Sequence, residues 1–270
     1  MIQPLNPTMH HGGVKKYSHI MKIKIKGTKG EIITGDYLEK DESNTVIVFL
    51  SGLTGGRTSR LVSDSSLFFF KNGFSTFSFD FFNPTSKSVL QLNFSIYDYL
   101  GILKGIINFF NNKYSRIVLV GHSFGAVISI LFLNKYRSCL NMEIILWDPS
   151  ILSQITNWIS GYFKYDTNKR LYYGIGGGKR IIANDIFYSS LLDFKDSTYI
   201  LELLNPKTCI IGAEKGASEN AKQYFSKLHG KNKTSSYFSI IKRAGHLFGS
   251  KIAQKELFKK TLYFLNKNTK

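Results

Sequence analysis

Four short apolar runs constrain this chain more than any other feature: Thr45–Leu50, Arg116–Val120, Glu143–Trp147 and Thr208–Ile211. Each has the length of a strand, and their continuous apolar stretches lack the alternation that one solvated face imposes. Such strands are covered on both faces, as in a parallel sheet. Helical periodicity fills the intervals. In Ser95–Phe110, the residues Ile96, Leu100, Leu103, Ile107 and Phe110 recur at steps of three or four and form one apolar stripe. Arg60–Lys71, Phe124–Tyr136, Glu219–Leu228 and Lys251–Leu265 are also read as helices, and Phe74–Phe82 and Tyr237–Ile241 as strands. His19–Lys26 and Glu31–Lys40 flank Gly27-Thr28-Lys29-Gly30 and read as an antiparallel hairpin. A hairpin followed by β-α repeats predicts an α/β fold: a mostly parallel, doubly wound sheet with helices on both faces.

The rhythm breaks once. From Ser150 to about Asn205 the sequence is aromatic and irregular, with Trp158, Tyr162, Phe163, Tyr172, Tyr173, Phe187 and Tyr188. The expected organisation is a flexible arm over 1–18, a core of 19–149 and 206–270, and an insertion over 150–205. A chain of 270 residues buries enough surface to need no metal or disulfide staple. Its 43% hydrophobic and 20% charged residues exclude wholesale disorder, a collagen-like chain and a coiled coil. Cys139 and Cys209 are too few for a disulfide scaffold or a Cys-rich zinc site. His10-His11 reads as part of the arm and not as a metal site.

No apolar stretch approaches the ~20 residues of a membrane span, and no secretory signal stands at the N-terminus. The expected compartment is therefore the cytoplasm. The 36 basic and 18 acidic residues give a formal charge of +18. They are scattered, the tightest groups being Lys22-Ile23-Lys24-Ile25-Lys26 and Lys231-Asn232-Lys233. A nucleic-acid footprint requires clustering, so the charge reads as a solvated surface and no nucleic-acid partner is expected.

Ligands of doubly wound sheets bind beyond the carboxyl ends of the strands. One motif there carries chemistry. Gly121-His122-Ser123-Phe124-Gly125 is G-x-S-x-G between a buried strand and a helix, the context the motif needs to present a nucleophile on a sharp turn. A serine hydroxyl attacks poorly unless a base takes its proton. Among the six histidines, His122 is expected to point away from the reacting face, His10, His11 and His19 precede the core, and His229 ends a helix. His246, in Ala244-Gly245-His246-Leu247-Phe248, follows the last strand at the same sheet edge as Ser123 and is the expected base. Gly174-Ile-Gly-Gly-Gly178-Lys179-Arg180 lacks the spacing of a phosphate loop and reads as a turn.

With these motifs the chain resembles the α/β-hydrolase superfamily of serine hydrolases, from His19 to the last helix. The likeness rests on Phe49-Leu-Ser-Gly-Leu53-Thr-Gly-Gly56, Gly73–Asp80, Gly121–Gly125 and Gly245-His246. It implies an eight-stranded sheet with a cap inserted after the sixth strand, a Ser-His-acid triad and an acyl-enzyme intermediate. It also implies an oxyanion hole made by the backbone N–H groups of Phe124 and Leu53, with Ser51 where relatives usually carry histidine. Relatives often continue R-G-x-G after Asp80. This chain does not, and Asp80 is read as structural. The acid is the departure. Relatives place it after the strand that here reads Cys209-Ile-Ile-Gly-Ala-Glu214-Lys215-Gly216-Ala217, with no aspartate. Glu214 is the first choice and Asp148, in Asp148-Pro149, the second, since chain order permits either.

The activity so implied is hydrolysis of a small acyl ester or thioester by a carboxylesterase- or thioesterase-like enzyme, without metal or organic cofactor. Tyr172–Phe187 is similar to cap endings of esterases and acyl-carrier thioesterases. Two alternatives remain: an acyltransferase or thioesterase acting on chains carried by an acidic acyl carrier protein, and a non-catalytic binding protein on the same fold.

Overall fold

The computed structural model describes residues 20–27, 30–81, 89–136 and 142–267. The expected arm, with His10 and His11, lies outside the described residues, as do His19 and Cys139. In chain order the elements begin with β1 (Ile20–Lys26), β2 (Ile32–Leu38), β3 (Thr45–Leu50), α1 (Arg60–Lys71) and β4 (Ser75–Phe79). Then come β5 (Val89–Leu92), α2 (Ile96–Asn111), β6 (Arg116–His122), α3 (Phe124–Lys135) and β7 (Met142–Trp147). The inserted segment holds α4 (Leu152–Tyr162), β8 (Lys164–Asp166), β9 (Leu171–Gly176), β10 (Lys179–Asn184), α5 (Asp185–Leu192) and α6 (Ser197–Leu204). The chain closes with β11 (Thr208–Lys215), α7 (Ser218–Lys227), α8 (Gly230–Ser235), β12 (Tyr237–Gly245) and α9 (Lys251–Lys267).

The apolar runs become the middle of an eight-stranded sheet ordered β1-β2-β4-β3-β6-β7-β11-β12. β2 pairs antiparallel with β1 and β4; the remaining neighbours are parallel. β3 shows why the runs carry no alternation. All six of its residues are buried. Val46, Val48 and Leu50 pack into one core with α2 and α3, while Ile47 and Phe49 pack into the other with α1 and α9. Side chains of a strand alternate between faces, so two covered faces demand an unbroken apolar run.

Two expectations are corrected. The segment after β7 is not irregular. Besides its helices it forms a small sheet ordered β5-β10-β9-β8. Gly177 and Gly178 turn the β9–β10 hairpin with positive φ, as expected of a turn. β5, absent from the sequence reading, pairs in parallel with β10 from Val89↔Arg180 to Leu92↔Ala183. It is only four residues long, and its partner lies far along the chain. The second correction concerns strand ends. β11 and β12 run on to Lys215 and Gly245, with a register shift between Ala213 and Lys215. That extension decides where Glu214 points.

Candidate active site

β6 delivers Ser123 to the carboxyl edge of the sheet, and α3 starts at the next residue. Between them Ser123 holds φ 54° and ψ −116°, a conformation that costs a non-glycine residue on the order of 1–3 kcal/mol. Asp148, Arg243 and Phe248 also have positive φ. Four of the strained residues thus sit at the ends of β6, β7 and β12 or just beyond them, where the candidate catalytic groups converge.

Asp148 follows β7 directly and is fully buried. A buried carboxylate needs donors, and three reach it. Ala213 N–H donates to Oδ1 at 2.7 Å, Ala217 N–H donates to Oδ2 at 2.8 Å, and His246 Nδ1 lies 2.6 Å from Oδ2. The loop after β11 passes close by only because residue 216 is glycine. A Cβ there would stand 2.2 Å from Asp148 Oδ2 and 2.9 Å from His246 Cα. With the carboxylate accepting from Nδ1, the proton of His246 sits on Nδ1 and Nε2 keeps its lone pair. Glu214 is elsewhere. It is exposed at the end of β11, and its Oε2 accepts from the Arg243 N–H at 2.7 Å. The preference for Glu214 over Asp148 is therefore corrected: the group on the His246 ring is Asp148. The cause is the strand extension, which turns residue 214 outward.

Ser123 and His246 line one cavity of about 690 Å³. No hydrogen bond joins them among the described residues; Ser123 Oγ bonds Ser150 Oγ at 3.0 Å instead. Nothing local in the sequence marks Ser150, which stands two residues past Asp148. Its carbonyl accepts from the buried Tyr224 hydroxyl at 2.8 Å, which fixes the backbone beside the nucleophile. Leu53 lines the same cavity, and its N–H has no acceptor among the described residues. Phe124 is the first residue of α3 and also lines the cavity. The loop carrying Leu53 is anchored by Asp80, whose Oδ1 accepts from Arg57 N–H at 2.7 Å and whose Oδ2 pairs with the Arg57 guanidinium at 2.9 Å. The inserted segment supplies Ile155, Trp158, Gly176 and Gly177 to the cavity wall.

His122 does not point away from the site. It is buried, its ring lies 4.8 Å from that of His246, and its Nε2 is 2.8 Å from the His246 carbonyl oxygen. Burial, and then the neighbouring His246, push its pKa from 6.5 down to about 4. Neutral at ordinary pH, it donates Nε2–H to that carbonyl and holds the backbone of the expected base. The unfolded chain takes up this proton near pH 6.5, the folded protein only near pH 4. Folding stability should accordingly fall as pH drops through that window, by roughly 3 kcal/mol in all from this group. Urea denaturation of wild type and His122→Gln between pH 7 and 4 measures it; parallel pH slopes would refute the assignment.

Among the described residues no cluster of His, Cys, Asp and Glu side chains could hold a metal ion, and no helix is long and apolar enough to cross a membrane. No family model and no curated protein matches the sequence. Solved structures do match. Est1E from Butyrivibrio proteoclasticus aligns with TM-score 0.69 at 12% identity, over 91% of this chain and 99% of its own. DcsB, solved in complex with its substrate analogue, aligns with TM-score 0.67 at 16% identity, over 93% and 100%. Dienelactone hydrolase from Anabaena variabilis aligns with TM-score 0.62 at 11% identity, over 90% and 95%. The sheet order, the strained serine between β6 and α3, and these superpositions over 90–93% of the chain together establish that the chain has the α/β-hydrolase fold.

Proposed function

We propose that the protein is a serine hydrolase of acyl esters or thioesters, with Ser123 as nucleophile, His246 as base and Asp148 as the acid that orients it. One observation carries the reading: the 2.6 Å contact between Asp148 and His246 lies at the cavity that also exposes a strained Ser123. On substrate binding, Ser123 Oγ leaves Ser150 and rotates toward His246, since catalytic hydrogen bonds often tighten only in the complex. Oγ attacks the carbonyl carbon while Nε2 takes its proton. The N–H groups of Leu53 and Phe124 hold the resulting oxyanion. Collapse breaks the bond to the leaving alcohol or thiol, which receives the proton from His246. Water, deprotonated by the same imidazole, then releases the acid from the acyl-enzyme.

The inserted segment, over 150–205, serves as a cap whose Ile155, Trp158 and hairpin tip close the cavity. The missing acid after β11 favours a non-catalytic reading; the Asp148–His246 contact favours the catalytic one. The test is a fluorophosphonate probe followed by peptide mapping. Covalent labelling of Ser123, with parallel loss of p-nitrophenyl butyrate hydrolysis, is expected. Folded protein that neither labels nor hydrolyses the ester would defeat the proposal.

A further inference from the structure

The glycine-rich motif Gly174–Arg180 forms the tip of the β9–β10 hairpin. Gly176 pairs with Lys179 across a two-residue turn. The turn residues Gly177 and Gly178 have φ 57° and 73°, the two positive angles that a tight hairpin turn needs and glycine supplies. The tip lies against the loop after β3: a Cβ on Gly177 would stand 2.7 Å from Thr54 Oγ1. From that tip the half-buried Lys179 donates its Nζ–H to the Thr54 carbonyl oxygen at 3.0 Å. Among the described residues Thr54 is its one hydrogen-bond acceptor, and no carboxylate pairs with its charge.

The loop converts this contact into a route to the reacting centre. Gly52-Leu53-Thr54-Gly55 is a β-turn closed by the Gly55 N–H, which donates to the Gly52 carbonyl oxygen at 2.9 Å. Thr54 C=O and Gly55 N–H are the two ends of one peptide unit, and Gly52 C=O and Leu53 N–H the two ends of another. The ammonium therefore heads a chain of two peptide units in series, and the chain ends at the Leu53 N–H. That N–H has no acceptor among the described residues, and Leu53 lines the cavity that exposes Ser123. Hydrogen bonds linked in this way polarise one another, and a cation at the head strengthens each of them. Gly176 and Gly177 line the cavity and Lys179 does not, so its charge acts on the cavity through the loop.

We infer that Lys179 is a positioning residue for ester hydrolysis: its bond to Thr54 O holds the oxyanion loop against the inserted segment and makes the Leu53 N–H a stronger donor. The inference rests on the reading of Ser123 as nucleophile and Leu53 N–H as oxyanion donor. Lys179→Met keeps much of the stem and removes charge and donor; Lys179→Arg keeps both. With p-nitrophenyl butyrate, Lys179→Met should lower kcat about tenfold, a part of the 10²–10³ that losing the whole donor costs. KM should hardly move, and Lys179→Arg should restore most of the rate. An alkyl trifluoromethyl ketone reads the oxyanion directly. Ser123 Oγ bonds to its carbonyl carbon, the Oγ proton passes to His246, and the carbonyl electron pair becomes an oxyanion at the two N–H groups. Its Ki should rise by about the factor that kcat falls.

Amide hydrogen exchange over residues 51–57 reads the loop without turnover and should be faster in Lys179→Met, with Tm nearly that of wild type. Active wild type with kcat, Ki and exchange all unchanged in Lys179→Met would overturn the inference and leave the hydrolase reading standing. Equal losses in Lys179→Met and Lys179→Arg, with a lowered Tm in both, would assign the lysine to packing of the hairpin alone and overturn it as well. Folded wild type that hydrolyses no ester would defeat the hydrolase reading, and the inference with it.

Discussion

Asp148→Asn should lower kcat/KM for ester hydrolysis by about 10⁴-fold, the order that mispairing the acid costs in a Ser-His-acid triad, while Glu214→Gln should leave it nearly unchanged. The asparagine has almost the same volume, so packing is kept. Its amide presents one acceptor where the carboxylate has two, and three donors compete for it: Ala213 N–H, Ala217 N–H and His246 Nδ1–H. With Oδ1 kept by Ala213, the new N–H₂ faces the imidazole and selects the tautomer that protonates Nε2. That tautomer cannot accept the proton of Ser123. Among the described residues the Glu214 carboxylate, by contrast, accepts only from the Arg243 N–H, which a glutamine oxygen accepts equally. Kinetics on both variants, with circular dichroism confirming folding, decide the matter. Activity lost in Glu214→Gln and kept in Asp148→Asn would reverse the assignment.

What the sequence could show depended on how local each feature is. The elbow is readable because its determinants lie within five consecutive residues, Gly121 to Gly125, flanked by a strand and a helix that local periodicity also reveals. His246 and His122 both stand at the carboxyl edge of a core strand, and the sequence sets them apart only through the expected orientation of His122, which the structure reverses. The acid is a different kind of problem. Asp148 meets Ala213 and Ala217 across 65 and 69 positions of chain and His246 across 98. Two carboxylates satisfy the chain order, and only the continuation of β11 past Ala213 separates them. β5 is hidden for the same reason, because a four-residue strand gains its meaning from β10. The orientation of His122 and the hydroxyl of Ser150 depend on side-chain packing at the sheet edge, for which no periodicity exists.

Gly125→Ala should destabilise the fold by at least about 3 kcal/mol, at the upper end of overpacking costs, and should lower kcat beyond what unfolding removes. A Cβ at position 125 would sit 2.2 Å from Leu50 O, 2.7 Å from Leu50 C and 2.8 Å from Ser51 O. All three are backbone atoms at the end of β3 and the start of the loop that carries Leu53, so no side chain can swing aside. Either α3 backs away from the sheet and takes Ser123 with it, or the loop moves and carries the Leu53 N–H off the oxyanion. Loss of one such donor costs about 10²–10³ in kcat. Gly161, in α4, provides the opposite case. Nothing lies within 4 Å of its would-be Cβ, and alanine is the better helix former by up to about 1 kcal/mol, so Gly161→Ala should hold or raise stability. Denaturant midpoints and kcat for the two variants separate steric exclusion at the elbow from the general cost of replacing glycine. Equal and small effects at both positions would mean that β3, its loop and α3 are not packed as closely as the proposed oxyanion site requires.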